Sequence, residues 1–107
     1  MFPVDEIVVT EVAGDQARVQ ATSSIHKSQL SRLGFEEQAD ALARPISGVD
    51  DRIHVLAKLI ELGALFSAGR DWSPEELVQY YREQGSISGP YRVIAWKNHE
   101  QFEISTR

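Results

Sequence analysis

The chain contains no cysteine. That excludes a disulfide scaffold, thiolate zinc sites, iron–sulfur clusters and cysteine nucleophiles, and it suits a reducing compartment. Long apolar runs are missing too. The longest lies around Val55 to Phe66, and Lys58 and Glu61 interrupt it, whereas a membrane span needs about 20 apolar residues. Met1-Phe2-Pro3-Val4-Asp5-Glu6 has no basic region and no apolar stretch of signal-peptide length. The expected location is the cytoplasm, with no membrane contact. Basic residues are outnumbered, 11 Lys and Arg against 16 Asp and Glu, for a net charge of −5. That balance argues against a protein whose affinity comes from neutralising phosphates.

What is present is an ordinary globular composition, 107 residues with 42% hydrophobic and 25% charged. One domain spanning residues 1–107 is expected. The acidity is concentrated in two places. Asp5, Glu6, Glu11 and Asp15 stand against Arg18 at the N-terminus, and Asp71, Glu75, Glu76 and Glu83 stand against Arg82 further on.

The first predicted element is a β-hairpin. Glu6 to Val12 and Arg18 to Thr22 are rich in β-branched residues, and Gly14-Asp15 is a Gly-first turn signal between them. A register set by that turn pairs Val12 with Ala17, Thr10 with Val19 and Val8 with Ala21 on an apolar face. It pairs Glu11 with Arg18 on the other face, where Ile7 and Val9 also fall. Residues 25–46 read as a short helix around Leu30 and Leu33, a break at Gly34, and a second short helix. Phe35, Ala39 and Leu42 of that helix recur at helical spacing before Pro45.

The central helix starts with Asp50 as N-cap. Ile53, Val55, Leu56, Ala57, Leu59, Ile60, Leu62 and Phe66 fill a wide apolar arc, and Gly69 ends it. The third helix has a full start signal: Ser73 as N-cap, Pro74 at N1, Glu76 at N3, and Trp72 placed to staple onto Leu77. Gly85 sits where its C-terminal cap belongs.

A second hairpin closes the chain. Tyr91 to Trp96 and Gln101 to Ser105 flank an Asn98-His99 turn. Ala95 then meets Phe102, and Val93 meets Ile104, on the core face. Arg92, Ile94, Trp96, Gln101, Glu103 and Ser105 take the reverse face. With residues 25–46 counted as one helical unit, the order is β-β-α-α-α-β-β. The expected fold class is α+β: a small single domain whose two β-hairpins form an antiparallel sheet, with helices packed on one face.

No catalytic constellation emerges. Asp50, His54 and Glu61 share a helix stripe, but two or three ligands at that spacing match no zinc motif, and a capping Asp beside a solvated His explains them. His26 lies in the stretch 25–46, and His99 lies in a turn. The pairs Glu36-Glu37, Asp50-Asp51 and Glu75-Glu76 stand near helix starts, where acids favour the dipole. Gly85 to Pro90 follows a helix and lacks a Lys, so it reads as a connector rather than a phosphate loop. No G-x-S-x-G elbow occurs. The third helix sets Arg82 against Glu75, Glu76 and Glu83, which does not suit DNA reading, and no direct DNA binding is expected.

Apolar and aromatic residues are left over. Tyr81 and Trp72 are expected in the core. Ile7, Val9, Ile94 and Trp96 on the bare sheet face, with Arg92 and with Tyr80 on the third helix, are the candidate partner-binding residues. The expected function is a non-enzymatic protein-binding regulator without cofactor or metal. It would be an inhibitor or anti-activator of a partner such as a transcription factor or enzyme, with a homodimer through the same face also open. Two alternatives stand beside it. One is a small-ligand-binding or accessory enzyme subunit with a pocket between sheet and helices, holding His54 or His26. The other is an acidic nucleic-acid mimic or modulator.

Overall fold

Gly63 decides the architecture. The central helix ends at Glu61, Leu62 caps it by donating to the Lys58 carbonyl, and Gly63 follows at φ +76°. An L side chain resists that left-handed turn. The chain therefore leaves the helix six residues earlier than Gly69 would allow, and Leu65 to Ser67 become a strand. Phe66, expected on the helix, is a fully buried strand residue.

The computed structural model describes residues 6–39, 41–69, 72–98 and 101–107. Along the chain run β1 (Val8–Glu11), β2 (Gln16–Gln20), α1 (Ser24–Arg32), β3 (Glu36–Gln38), β4 (Ala41–Pro45), α2 (Gly48–Glu61), β5 (Leu65–Ser67), α3 (Pro74–Glu83), β6 (Arg92–Trp96) and β7 (Phe102–Thr106). The strands form one sheet in the order β3-β4-β2-β1-β5-β6-β7. The class is α+β, as expected. The sheet is mixed rather than purely antiparallel, because β5 lies parallel to both β1 and β6 and joins the two hairpins.

The strands β3 and β4 pair as a hairpin where a second short helix was expected. Gly34, at φ +95°, terminates α1. The chain then enters β3, whose Glu36, Glu37 and Gln38 pair with Ala43, Leu42 and Ala41. Glu and Gln are poor strand formers in isolation. Here the ladder to β4, itself paired to β2, overrides propensity.

In the first hairpin Glu11 does face Arg18, and the two side chains form an ion pair at 3.5 Å. The rest of the register differs from expectation. Val9 faces Val19, and the pairing shifts between Val9 and Glu11, leaving Thr10 as the extra residue of a bulge. A bulge inverts the alternation on one side of it. Ile7 and Val9 therefore share the helix-covered face with Val12, Ala17 and Val19, and all five are buried in the main core. Their expected place on the bare face is corrected by this one inserted residue.

The main core joins Leu30 of α1, Val55, Leu56 and Leu59 of α2, and Leu77, Val78 and Tyr81 of α3 to Val9, Val19, Leu42, Phe66 and Val93 of the sheet. Each such side chain contributes roughly 1.5–3 kcal/mol on burial. A second, smaller cluster contains Val8, Leu65 and Ile94 and draws on no helix. The described helices thus cover one face of the sheet. No helix among the described residues is long and apolar enough to cross a membrane.

The helix starts follow local rules with one change. Ser73 accepts from Glu76 N–H at 3.4 Å, and its hydroxyl donates to the Glu76 carboxylate at 3.2 Å. For α2 the N-cap is Ser47, not Asp50. Asp51 in the first turn reaches back and accepts from Ser47 N–H at 2.8 Å.

Candidate functional site

The bare face is built by alternation. On β6, Arg92, Ile94 and Trp96 point away from the helices, while Val93 enters the main core. On β7 the partners of those three are Thr106, Ile104 and Phe102. This is one residue out of the expected register. Lys97 N–H donates to the Gln101 carbonyl at 2.8 Å, so Lys97 and Gln101 close the loop. Asn98 Oδ1 accepts from Gln101 N–H at 2.9 Å and holds it shut. The loop is thus one residue longer than an Asn98-His99 turn, of which His99 lies outside the described residues. The shift moves Phe102 and Ile104 from the core face to the bare face, beside Trp96.

The surface so formed has a floor and a crown. Val8, Leu65 and Ile94 are the floor, each with no exposed area. Trp96 and Phe102 are half-buried and pack on that floor, their ring centroids 5.2 Å apart at 58°. Ile104 is 39% exposed. Arg92 stands at the end of the strip and is fully engaged. Its Nη1 and Nη2 both donate to the Glu6 carboxylate, and Nη1 also reaches the Gly63 carbonyl at 3.3 Å.

Of the expected binding residues, the structure brings Trp96, Ile94 and Arg92 onto one surface. Only Trp96 offers an accessible apolar side chain there, since Ile94 is buried beneath it and Arg92 is tied to Glu6. Ile7 and Val9 lie on the opposite face. Tyr80 is 42% exposed on α3, away from the sheet strip, where its ring meets Trp72 at 5.6 Å and Tyr81 at 5.3 Å. Tyr81 is in the core as expected. Trp72 is not: it is 53% exposed at φ +62° and packs edge-on against Tyr80 instead of stapling onto Leu77. The sequence pattern alone sets Phe102 and Ile104 on the core face, because their side depends on a one-residue difference in loop length.

A concavity lies elsewhere, beside α3. It is an open groove of about 450 Å³ lined by Gln79, Arg82, Glu83, Tyr91 and Arg107. Arg82 lies over the Tyr91 ring at 5.4 Å and donates to the Arg107 carbonyl at 2.7 Å. Arg107 in turn pairs with the buried carboxylate of Glu75. Burial, followed by the nearby Glu75 charge, pushes the Tyr91 phenol above its ordinary pKa. Neither His26 nor His54 lines this groove. His54 is exposed, and the Nδ1 of His26 is buried without a hydrogen-bond partner among the described residues. No group of three His, Asp or Glu that could hold a metal occurs among the described residues.

No protein family, curated protein or solved structure matches the chain.

Proposed function

We propose that the protein is a non-enzymatic binding regulator, an inhibitor or anti-activator that holds a partner such as a transcription factor or an enzyme against the bare sheet face. The observation that carries the reading is the Trp96–Phe102 pair, packed ring against tilted ring with Ile104 beside it, apolar and accessible on the face the helices leave uncovered. Aromatic side chains seated on a packed floor are the usual anchors of protein interfaces, because they bury much area and have little rotamer freedom to lose. The proposed setting is the cytoplasm, in keeping with a chain free of cysteine.

The test is capture from the native cell extract with immobilised protein, wild type against Trp96→Ala and Ile104→Ser. Under this reading both variants lose the partner, and Tyr80→Ala keeps it. Raised salt leaves apolar capture nearly unchanged, whereas an acidic mimic would release a basic partner. Capture that survives both face substitutions would overturn the reading.

A further inference from the structure

The sheet has two edges, and they differ. β3 is short and presents exposed Glu36, Glu37 and Gln38, a charged edge of the kind that resists edge-to-edge pairing. β7 at the other end has no Lys, no Pro and an unbroken register with β6. The direction of its outer groups follows from two hydrogen bonds. Lys97 N–H donates to the Gln101 carbonyl, and Arg107 N–H donates to the Tyr91 carbonyl. In an antiparallel ladder alternate residues turn both backbone groups to opposite sides. Odd-numbered residues from Gln101 to Arg107 therefore face β6. Phe102, Ile104 and Thr106 turn N–H and C=O outward, where no described strand meets them. Their side chains lie on the bare face with Trp96.

We infer that β7 pairs antiparallel with β7 of a second copy about a two-fold axis at Ile104. Ile104 then faces Ile104 of the partner subunit, and Phe102 faces the partner's Thr106. In this register every outward N–H and C=O of β7 finds a mate. The alternatives are poorer. A register centred on Glu103 sets two carboxylates opposite each other, which destabilises a strand pair. One centred on Ser105 leaves Phe102 outside the β7 pairing. The chosen register sets Glu103 against the partner's Ser105. The net −5 of each chain is no obstacle locally, because residues 101–107 carry one Glu and one Arg. An isologous interface of this kind is self-complementary by construction. The two-fold axis stands perpendicular to the sheet, so the two Trp96–Phe102–Ile104 strips merge on one side into a single apolar band. The inference rests on the proposed function only in taking that face as an interaction surface.

Sedimentation of the purified chain at tens of micromolar concentration should give twice the mass of one chain, and Ile104→Lys should give the single-chain mass with an unchanged circular dichroism spectrum. A second readout does not depend on breaking the contact. The chain has no cysteine, so Ile104→Cys introduces one thiol, and Cα atoms opposite each other in such a pair lie about 5.5 Å apart. A short bifunctional maleimide should join Ile104→Cys into a covalent dimer and leave Phe102→Cys, whose thiol stands four positions along the strand from the same thiol of the partner subunit, as monomer. A wild-type monomer overturns the inference, as does a dimer that Ile104→Lys leaves intact. A monomer that still captures a partner through Trp96 overturns the self-pairing and leaves the proposed function standing. A β7 dimer that captures nothing supports the pairing and overturns the proposed function.

Discussion

Trp96 and Phe102 stand directly opposite each other in the β6–β7 register, and their rings meet 5.2 Å apart on the face that no described helix covers. Opposed aromatics of this kind stabilise a strand pair. They also hold each other upright above Val8, Leu65 and Ile94. The crown of the strip is thereby rigid before anything binds, which lowers the ordering cost of association.

The crown and the floor should respond differently to truncation. Ile94 has no exposed area, and Ile94→Ala should cost about 2–5 kcal/mol of stability, as buried large-to-small changes do. Trp96 is half-buried, so Trp96→Ala should cost only about 1–2 kcal/mol, the ring pair and part of its area. Urea unfolding of the two variants compares them directly. A larger loss at Trp96 than at Ile94 would mean that Trp96 is a core residue and not an accessible anchor.

Much of this was legible in the residues. The cap of α3, the apolar arc of α2 and the Glu11–Arg18 pair are local features, and local chemistry specifies them. The losses have physical causes of a different kind. Thr10 bulges because Ile7, Val9 and Val12 all need the core, a demand that strict alternation cannot meet. β3 is a strand only because β4 and β2 lie beside it. β5 is hidden in the apolar run after α2, where the helix stop is Gly63 and not the later Gly69. The apolar strip depended on the bulge that turns Val8 to the bare face, on β5, and on the length of the β6–β7 loop. Trp96 stood out as a surplus aromatic, but its neighbours Phe102 and Leu65 could be placed only once register and topology were known.

Asp51 makes stability depend on acid pH. Ser47 N–H and then the Arg44 guanidinium, at 2.8 and 3.0 Å, hold its carboxyl below the ordinary value. A group with a depressed folded-state pKa binds its proton more weakly in the native chain than in the unfolded one. Its stabilisation is therefore present above the unfolded value of about 3.9 and is lost as pH falls through the folded value. Asp51→Asn should melt below wild type at neutral pH, and the gap should close toward about pH 2. A gap of equal size at both ends would show that the charge plays no part.

Ser73 caps the start of α3 through its side chain, accepting from Glu76 N–H and donating to the Glu76 carboxylate. Ser73→Ala should cost about 1 kcal/mol. Ser73→Thr should recover most of that, since its hydroxyl can both accept from Glu76 N–H and donate to the Glu76 carboxylate. Thermal melts of the pair decide the point, and equal losses from both would mean that the hydroxyl is held for packing and not for capping.

Trp72 carries the last prediction. It is a bulky residue at φ +62°, a conformation that costs an L side chain roughly 1–2 kcal/mol. What it gains there is the edge-on contact with Tyr80 at 5.6 Å, worth about 0.5–1.5 kcal/mol. The two nearly cancel. Trp72→Gly removes both the strain and the contact and should leave stability close to wild type. Trp72→Ala keeps most of the strain and loses the contact, so it should be the less stable by about 1 kcal/mol. Melting all three proteins side by side checks the ordering. If Ala proves as stable as Gly, the left-handed backbone at Trp72 is not strained, and the ring contact with Tyr80 alone accounts for its position.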